Sequence, residues 1–308
     1  MKHLVTGSRG FIGRHLMRAL GDDAVGVDLP ECDVTADPFC DPQQYYCDEG
    51  KLSRATKGIE TVWHLAAING STQGFYERPW DVLNTQIRGT LNVIDACVAN
   101  GVKTLVLFSS SEVYQSADVV PTPENVPLVV PDLKNPRFSY GGGKIAAELM
   151  AWWSPIPRVF VIRPHNIFGE GQGPGHVIRD LYDKISAAPT AARVDIPGTA
   201  SHRRAFCHVS DFAQDCFAVL AHHEPDERVR EVYHLGTEEE IMLADLADMV
   251  ADEIGRVDVE FRFIGGPPGG TPRRCPSLAK MRSIGWLPGA DFRVALKQTV
   301  AAYREAKG

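Results

Sequence analysis

His3-Leu4-Val5-Thr6-Gly7-Ser8-Arg9-Gly10-Phe11-Ile12-Gly13 opens the chain, and its reading decides the fold. A short apolar run breaks into three glycines spaced three apart, and Arg14-His15-Leu16-Met17-Arg18-Ala19-Leu20 continues with helical apolar spacing. In a strand, glycine loop and helix arranged this way the backbone turns tightly, and the free amides and positive dipole end of the helix attract an anion such as a pyrophosphate. The spacing is Gly-x-x-Gly-x-x-Gly rather than the Gly-x-Gly-x-x-Gly of most dinucleotide folds, and a plain structural turn is the competing reading. A second strand, Ala24-Val25-Gly26-Val27, ends in Asp28, fifteen residues after Gly13. A carboxylate there accepts hydrogen bonds from an adenosine ribose and repels a 2'-phosphate, which favours NAD over NADP. The alternative is an ordinary loop carboxylate.

Working outward, strands and helices keep alternating. Tyr45-Tyr46-Cys47 reads as a short third strand with Asp48 at its end, near an adenine, and Gly50 to Thr56 as a helix. Thr61-Val62-Trp63-His64-Leu65-Ala66-Ala67 is a buried-type strand running into small residues that let backbone pass close to a cofactor. His64 reads as a packed core histidine. Residues 84–97 form an amphipathic helix and Thr104-Leu105-Val106-Leu107-Phe108 a continuous apolar strand. The rhythm predicts an α/β fold, a Rossmann-type doubly wound parallel sheet with ligands at the carboxyl ends of its strands. At one such end stand Ser109-Ser110-Ser111-Glu112-Val113-Tyr114; a proline-rich loop over 121–136 then leads to Ser139-Tyr140-Gly141-Gly142-Gly143-Lys144. On a helix beginning near Tyr140, the phenol and ammonium share one face, and a cation beside a phenol favours the phenolate over its usual pKa of ~10. Tyr and Lys at that spacing also occur on solvated helix faces.

Composition narrows the partners. The chain has 308 residues, 44% hydrophobic and 23% charged, enough for one large or two joined domains. Its net charge of -7, from 32 basic and 39 acidic residues without long blocks, points to a small molecule and not to nucleic acid or a membrane surface. Seven scattered cysteines without a Cys-x-x-Cys pair argue against a disulfide framework or zinc site, and as reduced thiols they imply a cytoplasmic location. The first residues run straight into the glycine loop, leaving no room for a signal peptide, and no apolar stretch reaches membrane-spanning length.

Taken together, these stretches resemble the extended short-chain dehydrogenase/reductases of the nucleotide-sugar epimerase and dehydratase type. The resemblance rests on Thr6-Gly7-x-x-Gly10-Phe11-Ile12-Gly13, Asp28, His64-Leu65-Ala66-Ala67, Asn84 with Gly89-Thr90, Ser109 to Tyr114, and Tyr140-x-x-x-Lys144. It continues through Arg163-Pro164-His165-Asn166-Ile167-Phe168-Gly169, Arg204 to Asp211, Tyr233-His234-Leu235-Gly236, and Arg273-Arg274-Cys275-Pro276-Ser277 with Leu287-Pro288. It implies a cofactor domain over 1–163, rejoined by about 207–236, and a smaller substrate-binding domain over 164–206 and 237–308. NAD would meet Gly7, Arg9, Gly10, Phe11, Ile12, Gly13, Asp28, Asp48, Leu65, Ala66, Ala67, Asn84, Ser109, Tyr140, Lys144 and Pro164.

By the same resemblance, Tyr140 as phenolate takes a proton from a sugar hydroxyl while hydride passes to NAD. Lys144 would hold the nicotinamide ribose, and Ser110, or its neighbour Ser111, the reacting oxygen. Substrate would meet Ser111, Glu112, Asn166, Arg204, His208 and Arg273, with Arg274 a further diphosphate contact because guanidinium forks suit phosphate oxygens. Three outcomes compete: 4-epimerisation, loss of water, or loss of carbon dioxide. Family dehydratases tend to carry Asp-Glu where this chain has Ser111-Glu112, so epimerisation ranks first, with dehydration or decarboxylation through Glu112 as the alternative. A non-catalytic NAD-binding sensor is a further one. The motif near Arg273 departs from the family's Pro-Asp at Pro276-Ser277. The resemblance also implies a homodimer through helices over 84–99 and 142–153.

Overall fold

The computed structural model describes residues 2–28, 32–35, 50–68, 72–266, 268–287 and 289–306. The expected third strand at Tyr45-Tyr46-Cys47, with Asp48, and Pro288 lie outside the described residues. The chain divides into two compact units: Met1–Gln115 with Pro127–Pro164 and Cys216–Tyr233, and Ser116–Val126 with His165–Asp215 and His234–Gly308.

The first unit is built on a sheet ordered β2-β1-β3-β4-β5-β10 among the described residues, from Ala24–Val27 (β2), His3–Thr6 (β1), Thr61–His64 (β3), Thr104–Phe108 (β4), Arg158–Pro164 (β5) and Val229–Leu235 (β10). The pairings β1–β2, β1–β3, β3–β4 and β4–β5 are parallel. Parallel neighbours require a crossover, and the helices supply it: Phe11–Leu20 (α1), Lys51–Ala55 (α2), Thr72–Glu77 (α3), Pro79–Ala99 (α4) and Phe138–Trp153 (α5). The central strands are mostly apolar because both faces are covered; all four residues of β3 and all five of β4 are buried, whereas the edge strand β2 is partly exposed. Leu4, Val62, Leu105, Leu107, Val159 and Val161 pack against Val93, Ile94, Ala147 and Ala151 of α4 and α5.

Glycines let α5 come close to its neighbours. A Cβ on Gly143 would lie 2.8 Å from Gln86 Cβ of α4, and one on Gly141 would lie 2.8 Å from the Glu112 carbonyl. Glycine inside a helix costs roughly 1 kcal/mol against alanine. Here that cost purchases the approach of the strand-end turn to the helix that carries Tyr140.

The second unit holds Ile167–Phe168 (β6), Val177–Ala187 (α6), Arg193–Ile196 (β7), Arg203–Ala205 (β8), Cys207–His208 (β9), Glu240–Met242 (β11), Leu243–Ile254 (α8), Glu260–Phe263 (β12), Arg273–Arg274 (β13), Ala279–Ser283 (α9) and Phe292–Glu305 (α10). Helix α7, Val209–His222, passes from the second unit to the first. Small sheets, β11-β8-β13 and β12-β7, replace the long parallel one. The core is its own: Leu181, Tyr182, Leu246, Val250, Phe292, Leu296 and Tyr303 bury against Phe168 and Phe206.

Candidate active site

The glycine loop is shaped by contacts that only glycine permits. Gly7 has φ 71°, and a Cβ on it would lie 2.8 Å from the Ala66 amide, in the Leu65-Ala66-Ala67 stretch after β3. A Cβ on Gly13 would lie 2.1 Å from the Gly7 carbonyl oxygen. Gly10 begins α1 with no side chain capping it, and the first amide to bond back into the helix is that of Arg14, to Gly10 O at 3.0 Å. The amides of Phe11, Ile12 and Gly13 precede it and lie at the positive end of the helix dipole. Asp28 follows β2 directly and accepts from the Arg9 amide at 2.7 Å, tying the loop to the end of the second strand. Bare helix amides, close-packed glycines and a carboxylate at the second strand end fit an adenine dinucleotide without a 2'-phosphate.

Behind the loop, His64 is the packed histidine the sequence suggests. Its Nδ1 lies 2.8 Å from Thr6 Oγ1 and its Nε2 3.1 Å from Thr90 Oγ1, and burial, followed by the Lys144 charge, pushes it down to about 3. It is therefore neutral at physiological pH. Asn84 sits half-buried on α4, and Pro164 ends β5.

Tyr140 lies in the first turn of α5 and Lys144 one turn on, both buried. The Lys144 Nζ stands 5.8 Å from the Tyr140 ring centre and donates to the Phe108 carbonyl at 2.6 Å. Ser110 caps the short 3-10 turn Ser111–Val113, accepting from the Glu112 amide at 3.1 Å, and its side chain hydrogen-bonds Tyr140. Burial raises the phenol well above its usual range, the Ser110 bond pulls it down and the Glu112 charge raises it further. Burial, the largest of the three, favours the neutral phenol. Burial likewise lowers Lys144 to about 8, with the Glu148 carboxylate raising it in partial compensation. The Glu112 carboxylate lies 3.5 Å from the Arg137 guanidinium, and its backbone carbonyl accepts from Gln115 Nε2 at 2.5 Å. Ser109, Ser110, Ser111, Glu112, Tyr140 and Lys144 therefore meet at the carboxyl end of β4, although the Ser109 hydroxyl is bound to Glu148.

Several partners had no counterpart in the sequence reading. Phe75 of α3 stacks on Tyr140, with ring centres 5.0 Å apart and planes 16° apart, and with Val82 and Ile68 forms the apolar wall around the phenol. Nothing local in the sequence marks that contact. Arg163, a charge that directly follows the apolar run 159–162 of β5, pairs with Glu148, and a buried charge after such a run is a legible signal of a buried partner.

In the second unit the expected substrate residues have local partners. Asn166, at φ 45°, donates to Ala205 O at 2.8 Å. Arg204 donates to the Thr271 carbonyl at 2.5 Å and to Arg203 O at 2.8 Å. The His208 Nδ1 lies 2.8 Å from Ser210 Oγ, and its ring meets Phe168 at 5.4 Å. Arg273 is forked onto Glu240, with Nε 2.8 Å from Oε1. Arg274 is buried and donates to Thr271 Oγ1 at 3.0 Å.

Residues 3–236 match the NAD dependent epimerase/dehydratase family. The chain belongs to this family. It is an enzyme fold of the Rossmann type, and the family's cofactor is NAD. The chain is 27% identical over 98% of its length to dTDP-4-dehydro-6-deoxy-D-allose reductase from a Streptomyces species, covering 95% of that protein. It is equally 27% identical over 98% of its length to mouse dTDP-D-glucose 4,6-dehydratase, covering 88%. Among solved structures it resembles DesIV, the dTDP-glucose 4,6-dehydratase of Streptomyces venezuelae crystallised with NAD, at TM-score 0.83 and 23% identity, covering 100% of this chain and 98% of the other. Among the described residues no helix is long and apolar enough to cross a membrane.

Proposed function

We propose that this family member oxidises one ring carbon of a nucleoside-diphosphate sugar to a ketone and then uses Glu112 on the adjacent carbon to drive loss of water, the 4,6-dehydratase course. The observation that carries this reading is the Glu112 carboxylate in the electrostatic field of the Tyr140 phenol, on a turn pinned to α5 at Gly141. Bound NAD supplies the hydride acceptor. Tyr140 would take the hydroxyl proton as the phenolate, which the charges of Lys144 and of a bound nicotinamide would favour against the burial that otherwise keeps it neutral, and Ser110 would hold the reacting oxygen. With the C4 ketone formed, the C5 hydrogen is acidic; Glu112 would remove it as the C6 hydroxyl leaves as water, and the hydride taken from C4 would return to C6 with a proton to C5, giving the 4-keto-6-deoxy sugar and restoring NAD. The full-length likeness to 4,6-dehydratases supports this course.

A 4-epimerase is the second reading, favoured by Ser111 standing where family dehydratases carry an aspartate. On either course we assign the first unit to the cofactor and the second to the sugar nucleotide, with Asn166, Arg204, His208 and Arg273 on its diphosphate and sugar. Glu240 then competes with phosphate for Arg273. We also propose a homodimer through the apolar residues that α4 and α5 leave exposed, Leu91 and Val98 on one and Leu149 and Trp153 on the other. A cytoplasmic location is supported by Cys32, Cys97, Cys207, Cys216 and Cys275, none of which is in a disulfide.

The deciding experiment supplies UDP-, GDP-, CDP- and dTDP-hexoses with NAD and follows products by NMR. A 4-keto-6-deoxy sugar supports dehydration. Appearance of the C4 epimer with no accumulating ketone replaces it with the epimerase, a pentose replaces it with a decarboxylase, and no NADH at any stage leaves a non-catalytic binder. Glu112→Gln is expected to retain NADH formation and lose elimination.

A further inference from the structure

Outside the reacting groups, one buried cluster joins all the elements that carry them. Glu148 stands one turn beyond Lys144 on α5. Its Oε1 accepts from Arg163 Nε at 2.9 Å and its Oε2 from Arg163 NH2 at 2.6 Å, with the two side chains 5% and 8% exposed. The Ser109 hydroxyl donates to the same Oε1, and Arg163 NH1 donates to the Tyr114 hydroxyl while its guanidinium lies 5.0 Å over the Tyr114 ring. Lys144 grips Phe108 O, so two successive turns of α5 hold two successive residues at the end of β4. Arg163 adds β5 and the far end of the turn that presents Ser110 and Glu112.

A buried ion pair is weak evidence for stability, since desolvating both ions offsets most of their attraction. Its placement therefore calls for another account. We propose that Glu148, locked by Arg163, is a positioning residue that sets a carboxylate one turn beyond Lys144 as its counter-charge and fixes the Ser110–Glu112 turn in register with Tyr140.

The groups facing Lys144 leave Glu148 that role. His64 on β3 is neutral, Tyr140 on the same helix is a protonated phenol, and Glu112 on the turn acts on the phenol. Arg163 on β5 is paired with Glu148. The anion whose field raises Lys144 against its burial is Glu148. Arg163 and Ser109 satisfy both of its carboxylate oxygens in the core.

The inference rests on reading Tyr140 and Lys144 as the reacting pair, so its first test needs no turnover. In protein labelled with 13C at lysine Cε, the Lys144 resonance is identified by its loss in Lys144→Met and titrated by NMR. The wild-type midpoint is expected near the value of about 8 set by burial. In Glu148→Gln it falls by about one unit or more, because burial then acts unopposed and Arg163 adds repulsion. Should that variant misfold with an uncompensated Arg163, the double variant Glu148→Gln, Arg163→Met removes both charges together, which buried pairs tolerate far better than loss of one partner. It is expected to shift the midpoint in the same direction by less. A midpoint unchanged in a folded variant of either kind overturns the proposal.

With a substrate in hand, Tyr114→Phe, which cuts the tie to the turn and leaves the charges in place, lowers kcat with KM and the Lys144 midpoint unchanged. A fall in thermal stability alone, with kcat retained, overturns the register half. A shifted midpoint without hydride transfer from any sugar nucleotide sustains the charge half and rejects the functional reading beneath it.

Discussion

Replacing Gly13 by alanine tests the seat of the cofactor. The added methyl would sit 2.1 Å from the Gly7 carbonyl oxygen and 3.0 Å from the carbonyl carbons of Gly7 and Ser8. A carbon–oxygen contact relaxes at about 3.3 Å. Either α1 or the loop must therefore retreat by roughly 1 Å, the scale of misplacement that costs about a hundredfold when a site depends on fixed geometry. Both neighbours are backbone, so no side chain can swing aside. The Gly7 oxygen also accepts from the Gly10 amide at 3.1 Å, and the retreat breaks that bond as well. Overpacking of this kind costs about 1 to 3 kcal/mol, and if it falls on the bound state NAD affinity drops roughly tenfold to a hundredfold. Calorimetric titration of cofactor-free protein with NAD measures it. Gly101→Ala is the control: its φ is +68° and nothing lies within 4 Å of the new methyl, so it loses stability through backbone strain and binds NAD as before. A folded Gly13→Ala variant with wild-type affinity would refute the assignment of this loop to the pyrophosphate.

Three further outcomes are expected. Asp28→Asn keeps one oxygen for the Arg9 amide, so the loop survives, but it exchanges the other for an NH2 and removes the charge. NAD affinity falls about tenfold and the preference over NADP narrows, both read from paired binding isotherms; an unchanged ratio rejects the ribose role. Burial pushes the Asp215 carboxyl up to about 7, with the Trp286 Nε1 bond at 2.6 Å pulling it down and Asp211 raising it. Because the folded value lies above the unfolded one, this group's stabilisation is complete below about pH 4 and is lost as pH rises through the folded value. Asp215→Asn, which still accepts from Trp286, should then match wild type in urea midpoint near pH ~4 and exceed it by on the order of 2 kcal/mol near pH ~8; a gap that stays constant with pH rejects the assignment. Leu149→Glu, at a position 57% exposed on α5, converts a sedimenting dimer to monomer, and a wild-type protein that sediments as a monomer discards that interface.

The alternating order of the first unit was legible because parallel strands buried on both faces must be apolar along their whole length. Thr104–Phe108 was bounded correctly on that ground alone, and the helix carrying Tyr140 starts at Phe138, two residues before its expected start. Helix α4 extends further back than the periodicity from Asn84 suggests, to Pro79, whose fixed φ suits a first helical position. The glycine loop was readable because steric permission is encoded in single residues. What the sequence did not disclose depends on distance. Phe75 and Tyr140 are brought face to face by the fold, and neither residue's neighbours mark the contact. The second unit was legible only by resemblance, since its short strands and surface charges have no period to follow.

That difference extends to the chemistry. In the first unit the ionisable groups at the strand end are desolvated, so each state depends on one or two neighbours: Tyr140 on Ser110 and Glu112, Lys144 on Glu148. Such couplings are strong because little water screens them. In the second unit Arg273 is about half exposed and paired with Glu240, an arrangement whose net worth is small in water. An incoming diphosphate with two negative charges can take Arg273 from a carboxylate at little cost, whereas no ligand can reorder the Glu148–Arg163 pair without exposing a core charge. On the proposed assignment the reacting groups are fixed before substrate arrives, and Arg273, expected to grip its nucleotide, is held by a contact that a phosphate can replace. The motifs assigned to hydride transfer are then rigid and readable from sequence, while the choice of sugar would rest on side chains with exposed, exchangeable partners.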